Sequence, residues 1–139
     1  MSGHLFSIQN NPAGLKAGLV EVNRLLRSRG CPPDLVRNVH LGLEEVITNI
    51  LKYGYDDSEA HQIDISLELT PAVLRLTVSD DGHEFDPLRQ TRPDTTRPVD
   101  EREAGGLGLH VLRALFDAVH YRREHNRNVL DLENHLPPE

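Results

Sequence analysis

The chain has 139 residues, enough for one domain around one core. Its formal net charge is −7, hydrophobic residues make up 37% and aromatic residues only 4%. That balance argues against a general nucleic-acid or anionic-membrane binder, which needs a basic face, and against base-stacking platforms. The single cysteine, Cys31, excludes an intrachain disulfide, and no cluster has zinc-ligand spacing. The N-terminal residues carry neither the basic start nor the apolar run of a signal peptide. No apolar stretch approaches the roughly 18 residues of a membrane helix, so the expected location is cytoplasmic.

Residues 4–9 alternate loosely and predict a short strand. Asn11 then caps a helix that Pro12 opens, because proline at the first helical position loses no helical hydrogen bond. Leu15, Leu19, Val22 and Leu26 recur every three or four residues, and Gly30 is the C-cap, so this helix covers about 12–29. Cys31-Pro32-Pro33 breaks the chain. A second helix runs from 33 or 34 to about Gly54, with a core stripe of Leu35, Val39, Leu43, Val46 and Ile50 widened by Val36, Ile47 and Leu51.

Residues 62–69 alternate Ile63, Ile65, Leu67 and Leu69 with polar neighbours, the pattern of a half-buried strand. Thr70-Pro71-Ala72 is a turn into a second strand over 73–79, with Leu74, Leu76 and Val78 on one face, making an antiparallel hairpin. Residues 86–104 hold three prolines, four arginines and five acidic residues with almost no apolar side chains, so periodicity stops and a functional lid or a disordered segment is expected. A third helix follows over 107–116, with Leu109, Leu112 and Leu115 or Phe116 inward. A final hairpin pairs 117–123 with 128–134 around His125-Asn126-Arg127. Hairpins dominate over crossovers, so the expected fold is an α/β (α+β) two-layer sandwich: a mostly antiparallel mixed sheet with about three helices on one face.

Three constellations carry chemistry. Glu45 and Asn49 lie four apart in the second helix, hence on one face beside the core stripe. A carboxylate and an amide there suit proton acceptance and oxygen ligation of Mg²⁺, although the same pair alone also reads as an exposed polar face. Glu44, turned roughly 100° away, is surface. Asp80-Asp81-Gly82 follows a strand directly. A carboxylate there can accept from an exocyclic amine with glycine allowing close approach, while alone it is equally a common turn. Gly105-Gly106-Leu107-Gly108-Leu109 opens the third helix, where bare backbone N–H groups and the helix dipole suit phosphates; alone it is a hinge. It is neither a Walker nor a Rossmann motif. Lys52, one turn beyond Thr48, is placed to reach phosphates, and Arg102 reads as surface. Eight histidines are present, none paired with a second ligand at metal spacing, and His110 reads as a packed or surface imidazole.

The order of these features is more specific than any one of them. Glu-x-x-x-Asn on a helix, a strand ending in Asp-x-Gly, a polar lid and Gly-x-Gly opening a helix resemble the GHKL ATP-binding superfamily (the HATPase or Bergerat fold). The short chain is similar to its anti-sigma factor serine/threonine kinase branch from about Leu5 to Leu132. The resemblance implies a single ATP-binding kinase domain over 1–139 with its lid at about 86–104. It implies Asn49 as Mg²⁺ ligand, Glu45 as general base, Asp80 and Gly82 as adenine readers, and Gly106 and Gly108, with neighbouring Gly105, Leu107 and Leu109, as the phosphate loop. ATP and Mg²⁺ are the implied cofactors. A small STAS-type anti-anti-sigma protein is the implied phosphoacceptor, with a sigma factor or other regulatory target as a further partner, and a homodimer is compatible. Asp86-Pro87 also fits the family. Glu84, Ala104 and Asp131 depart from its pattern, and the departures bear on ATP affinity rather than fold. Two classes of function stay open: a protein kinase and a non-catalytic ATP-dependent binding module. A sensor histidine kinase lacks room for its dimerisation helices.

Overall fold

A computed structural model describes residues 2–84 and 104–136. The elements run β1 (Ser2–Gln9), α1 (Pro12–Ser28), α2 (Pro33–Tyr53), β2 (Gln62–Leu69), β3 (Val73–Asp80), α3 (Ala104–Leu115), β4 (Ala118–Glu124) and β5 (Arg127–His135). The strands form one sheet in the order β1-β2-β3-β5-β4. Every pairing is antiparallel, so the described sheet is not mixed in direction.

Period-two alternation decides which side of the sheet is buried. Ile63, Ile65 and Leu67 of β2, Leu74, Leu76 and Val78 of β3, and Leu130 and Leu132 of β5 point to one face. They join Val22 and Leu26 of α1, Val39, Leu43 and Ile47 of α2, and Leu112 of α3 in one core. The opposite face is a polar ladder across the strands. Ser7 donates to Asp64 at 2.6 Å, Arg127 reaches both Asp64 and Ser79, and Thr77 donates to Asp131 at 2.6 Å. Arg75 donates to Glu133 at 2.7 Å. The fold is therefore two layers, helices on one side and water on the other.

The ends of the elements follow local chemistry. Asn11 is extended and its side-chain oxygen accepts from the Gly14 N–H at 2.8 Å, capping α1 behind Pro12. Gly30, at φ +73°, takes the left-handed turn that ends the helix. At the end of α3 the buried amide of Asn134 donates to the Leu115 carbonyl at 3.2 Å and accepts from the Asp117 N–H at 3.0 Å. The last hairpin turns on His125 and Asn126 alone, both with positive φ, the geometry of a two-residue turn matched to strand twist. Arg127 thus belongs to the strand rather than to the turn. The third helix starts three residues earlier than its apolar pattern predicts, so the glycine run lies inside its first turns. The lid expected over 86–104 lies outside the described residues except for Ala104. Among the described residues no helix is long and apolar enough to cross a membrane.

Backbone contact holds α1 to the sheet. A side chain on Gly14 would collide with the Gln9 carbonyl at the end of β1, and neither group is a flexible tip. Gly14→Ala should therefore destabilise the protein by about 1–3 kcal/mol, despite alanine's better helix propensity. A lower urea midpoint with unchanged m-value is the expected reading; an equal or higher midpoint overturns it.

A candidate nucleotide site at the end of the second helix

The second helix delivers its functional groups because its apolar stripe sinks one face into the core. Asn49 is carried with that face and is only 6% exposed. Its amide oxygen is enclosed and meets no hydrogen-bond donor among the described residues. A buried acceptor without a partner costs about 1–3 kcal/mol, so this oxygen is shaped for something else. A hard cation such as Mg²⁺ takes amide oxygens, and Asn49 fits that need. Glu45, one turn earlier, is half-buried, whereas Glu44 is exposed. Lys52 is exposed too.

A cavity open to solvent lies between this helix, β3, β5, β4 and α3. Asn49 and Asp80 line it together with Val46, Leu112, Tyr121 and Asn128. The structure thus brings Asn49 and Asp80 to one place, although they are separated by a full hairpin in sequence. Glu45 and Lys52 are on the same helix but do not line the cavity. Gly105, Gly106, Leu107, Gly108 and Leu109 are helical in α3, the helix that contributes Leu112. The N–H groups of a helix's first turn have no partner within the helix.

Asp80, the last residue of β3, is 3% exposed. Its Oδ1 accepts from the Gly82 N–H at 2.9 Å and from the Asn128 amide at 3.0 Å. Both bonds end on one oxygen, and Oδ2 accepts no hydrogen bond among the described residues. Burial pushes the Asp80 carboxyl above its ordinary range, against the two donors, which pull it down. Gly82 is required by close approach: a side chain there would meet the Gly54 carbonyl and lie 2.9 Å from Asp80 Oδ1. The His83 N–H donates to the same Gly54 carbonyl at 2.8 Å, tying the turn to the end of α2.

Asn128 and Gly54 are the site residues that sequence reasoning missed as such. Asn128 donates to Asp80 and, at 2.7 Å, to the His83 carbonyl, and accepts from Tyr121 at 2.5 Å and Arg123 at 3.2 Å. Its signal in the sequence is the Asn128-x-Leu130-x-Leu132 pattern of the last strand, which fits the family and sets these three residues on the helix side. The same alternation corrects the reading of Asp131. Its side chain lies on the outer face with Thr77 and Arg122, so its departure from the family pattern does not touch the cavity. Glu84 is exposed beside a neighbouring cleft with Arg123. His110 is exposed.

A second network braces the loop after α2. The His61 ring donates to the carboxylates of Asp57 at 2.9 Å and Asp81 at 3.3 Å, and it stacks on Tyr55 at 4.2 Å. Tyr55 donates to Asp81 at 2.7 Å. The Asp57 bond raises the His61 pKa, and burial followed by the Asp81 bond raises that of Tyr55. Asp57, Glu59 and His61 place one ligand atom each within 4.8 Å of one another, a grouping that sequence spacing does not announce.

Because the folded Asp80 carboxyl is raised, its contribution to stability is fully present below its ordinary 3.8 and is lost as pH rises through the folded value. The stability difference between the parent and Asp80→Asn should therefore shift against the parent as pH rises above 3.8, read by urea unfolding at a series of pH values. A flat difference overturns the assignment.

A family profile described as the histidine kinase-like ATPase domain matches residues 8–133. The chain is 29% identical over 96 residues to the serine/threonine-protein kinase BtrW of Bordetella bronchiseptica, covering 69% of this chain and 68% of that one. It is 28% identical over 89 residues to the serine-protein kinase RsbW of Oceanobacillus iheyensis, covering 60% of this chain and 56% of that one. Its fold is similar to the RsbU and RsbW domains of Rv1364c from Mycobacterium tuberculosis, with a TM-score of 0.71 at 12% identity, over 100% of this chain and 34% of that one. It is also similar to a chain of the SiaB-SiaC complex from Pseudomonas aeruginosa, with a TM-score of 0.59 at 14% identity, over 96% of this chain and 89% of that one. With the family profile spanning all but the two ends, the chain belongs to the histidine kinase-like ATPase domain family, the GHKL group that its motif order resembles.

Proposed function

We propose that this chain is an ATP-dependent serine/threonine protein kinase acting in partner switching, with a small STAS-type protein as phosphoacceptor. The observation that carries the reading is the pairing, in one cavity, of a buried carboxylate with one oxygen left over and a buried amide oxygen with no donor. One suits the exocyclic amine of adenine and the other suits a cation on the phosphates. The kinase names carried by BtrW and RsbW support the reaction class.

In this reading Asp80 Oδ2 accepts from adenine N6, and Gly82 keeps that edge of the pocket clear. Val46, Ile50 and Leu112 supply apolar contact for the base. Asn49 would hold Mg²⁺, which when bound neutralises charge on the phosphates. The backbone of Gly105, Gly106, Leu107, Gly108 and Leu109 would receive the phosphates at the start of α3, and Lys52 adds a positive charge at the end of α2. Glu45, one helical turn from Asn49, takes the proton of the acceptor hydroxyl. The hydroxyl oxygen forms its bond to the γ-phosphorus as the bond to ADP breaks. Positioning and charge stabilisation carry most of such a transfer, so a small set of groups suffices. The new phosphate adds roughly −1.5 to −2 charge, which an acidic chain repels, favouring release.

Asn49→Ala should abolish or strongly weaken Mg-ATP binding in calorimetry; parental affinity would remove Asn49 from the metal. GTP should bind more weakly than ATP by about 1–3 kcal/mol, since guanine sets an acceptor against Asp80; equal affinities would remove that role.

Glu45→Gln keeps shape and removes the base. It should leave ATP binding near parental and slow phosphorylation of a STAS protein at least tenfold, on the order of 1.4 kcal/mol. Phosphorylation at the parental rate makes Glu45 structural. A parent that binds both ATP and the STAS protein yet transfers no phosphate is instead a binding module.

A further inference from the structure

Far from the nucleotide cavity, α1 and α2 enclose an open groove lined by Asn23, Arg27, Cys31, Val36, Arg37 and His40. Arg37 and Asn49 are twelve residues apart on α2, about 18 Å along its axis, so the groove and the cavity sit toward opposite ends of one helix. We propose that this groove is a docking site for an acidic, extended segment of a protein partner.

Charge is the first argument. The chain carries a net −7, yet this groove presents two arginines and an imidazole. Arg27 is exposed, and its side chain makes no hydrogen bond or ion pair among the described residues. Arg37 has Asp34 alone among the described residues, at 3.7 Å, and 69% of its side chain is exposed. Arg29 adds positive potential at Cys31. Guanidinium groups with free forks recognise carboxylates in a bidentate manner, and a basic patch on an otherwise acidic surface steers an acidic partner to one place.

The floor of the groove distinguishes a peptide from a simple anion. In the groove wall the Asn23 amide pairs with His40 Nδ1 at 3.0 Å. A simple anion brings acceptors to the arginines and nothing for an apolar floor. An acidic peptide brings carboxylates for Arg27 and Arg37 and apolar side chains for that floor. The floor is apolar: Val36 is buried, and burial raises the Cys31 thiol and keeps it neutral. Apolar side chains between the acidic ones therefore have somewhere to go.

The test uses a fluorescein-labelled peptide of alternating glutamate and leucine with the full chain. Binding should weaken with salt, and R27E/R37E should lower affinity at least about tenfold while ATP affinity, which reports an intact fold, stays parental. The glutamine version of the peptide should bind as poorly as the charge-reversed protein. In NMR the Asn23 side-chain amide and the His40 ring should shift on titration. The proposal falls if the parent does not bind the peptide at millimolar concentration, or if R27E/R37E binds it as the parent does. Equal binding of the glutamine peptide also overturns it, leaving a merely apolar groove. Displacement of the peptide by millimolar inorganic phosphate overturns it in favour of a plain anion site. ATP binding reports separately on the nucleotide reading, so either can fail alone.

Discussion

The Gly54 carbonyl occupies the space that a side chain on Gly82 would need, and from that backbone contact the rest of the cavity takes its shape. It closes the turn after β3 onto the end of α2, and the His83 N–H bond locks it there. With the turn fixed, the Gly82 N–H faces back to Asp80, and Asn128 completes the hold on the same carboxylate oxygen. A larger residue at 82 would open the turn, free the carboxylate to rotate and unpair Asn128 from His83. Buried polar networks are demanding in this way, because a partly satisfied one is worse than none.

The elements were legible where local chemistry and burial agree. The β2–β3 hairpin reads directly from alternation, since one face meets the core and the other meets water. The start of α1 reads from Asn11 and Pro12, whose roles depend only on the next three residues. Illegible features depend on distant contacts. Asn128 acts through Asp80, 48 positions away, and nothing near either residue in sequence announces the other. The glycines of α3 suggest a hinge by intrinsic preference, yet the helix begins at Ala104 and runs through them. Propensity there gives way to tertiary context.

Electrostatics divides the molecule more sharply than its net charge suggests. The outer sheet face alternates acids and bases across neighbouring strands, so its charges are largely spent on each other. Such exposed pairs contribute little stability singly, but they keep one face of the sheet wet and so direct all apolar packing to the helices. Asp131 shows the point: it belongs to that ladder, held by Thr77 and Arg122, rather than to the chemistry on the other side of its own strand.

Asn49 and Gly54 are five residues apart at the end of a single helix. The amide oxygen and the carbonyl against which the Asp80 turn is seated are therefore separated by a helical rise of about 7.5 Å. That rise is maintained by backbone hydrogen bonds rather than by side-chain packing, so it is nearly incompressible. Core substitutions can tilt α2 or slide it along the sheet, but they carry both markers together. The helix thus serves as a ruler for the cavity, and a ligand that touches both ends is selected by its length as well as by its groups.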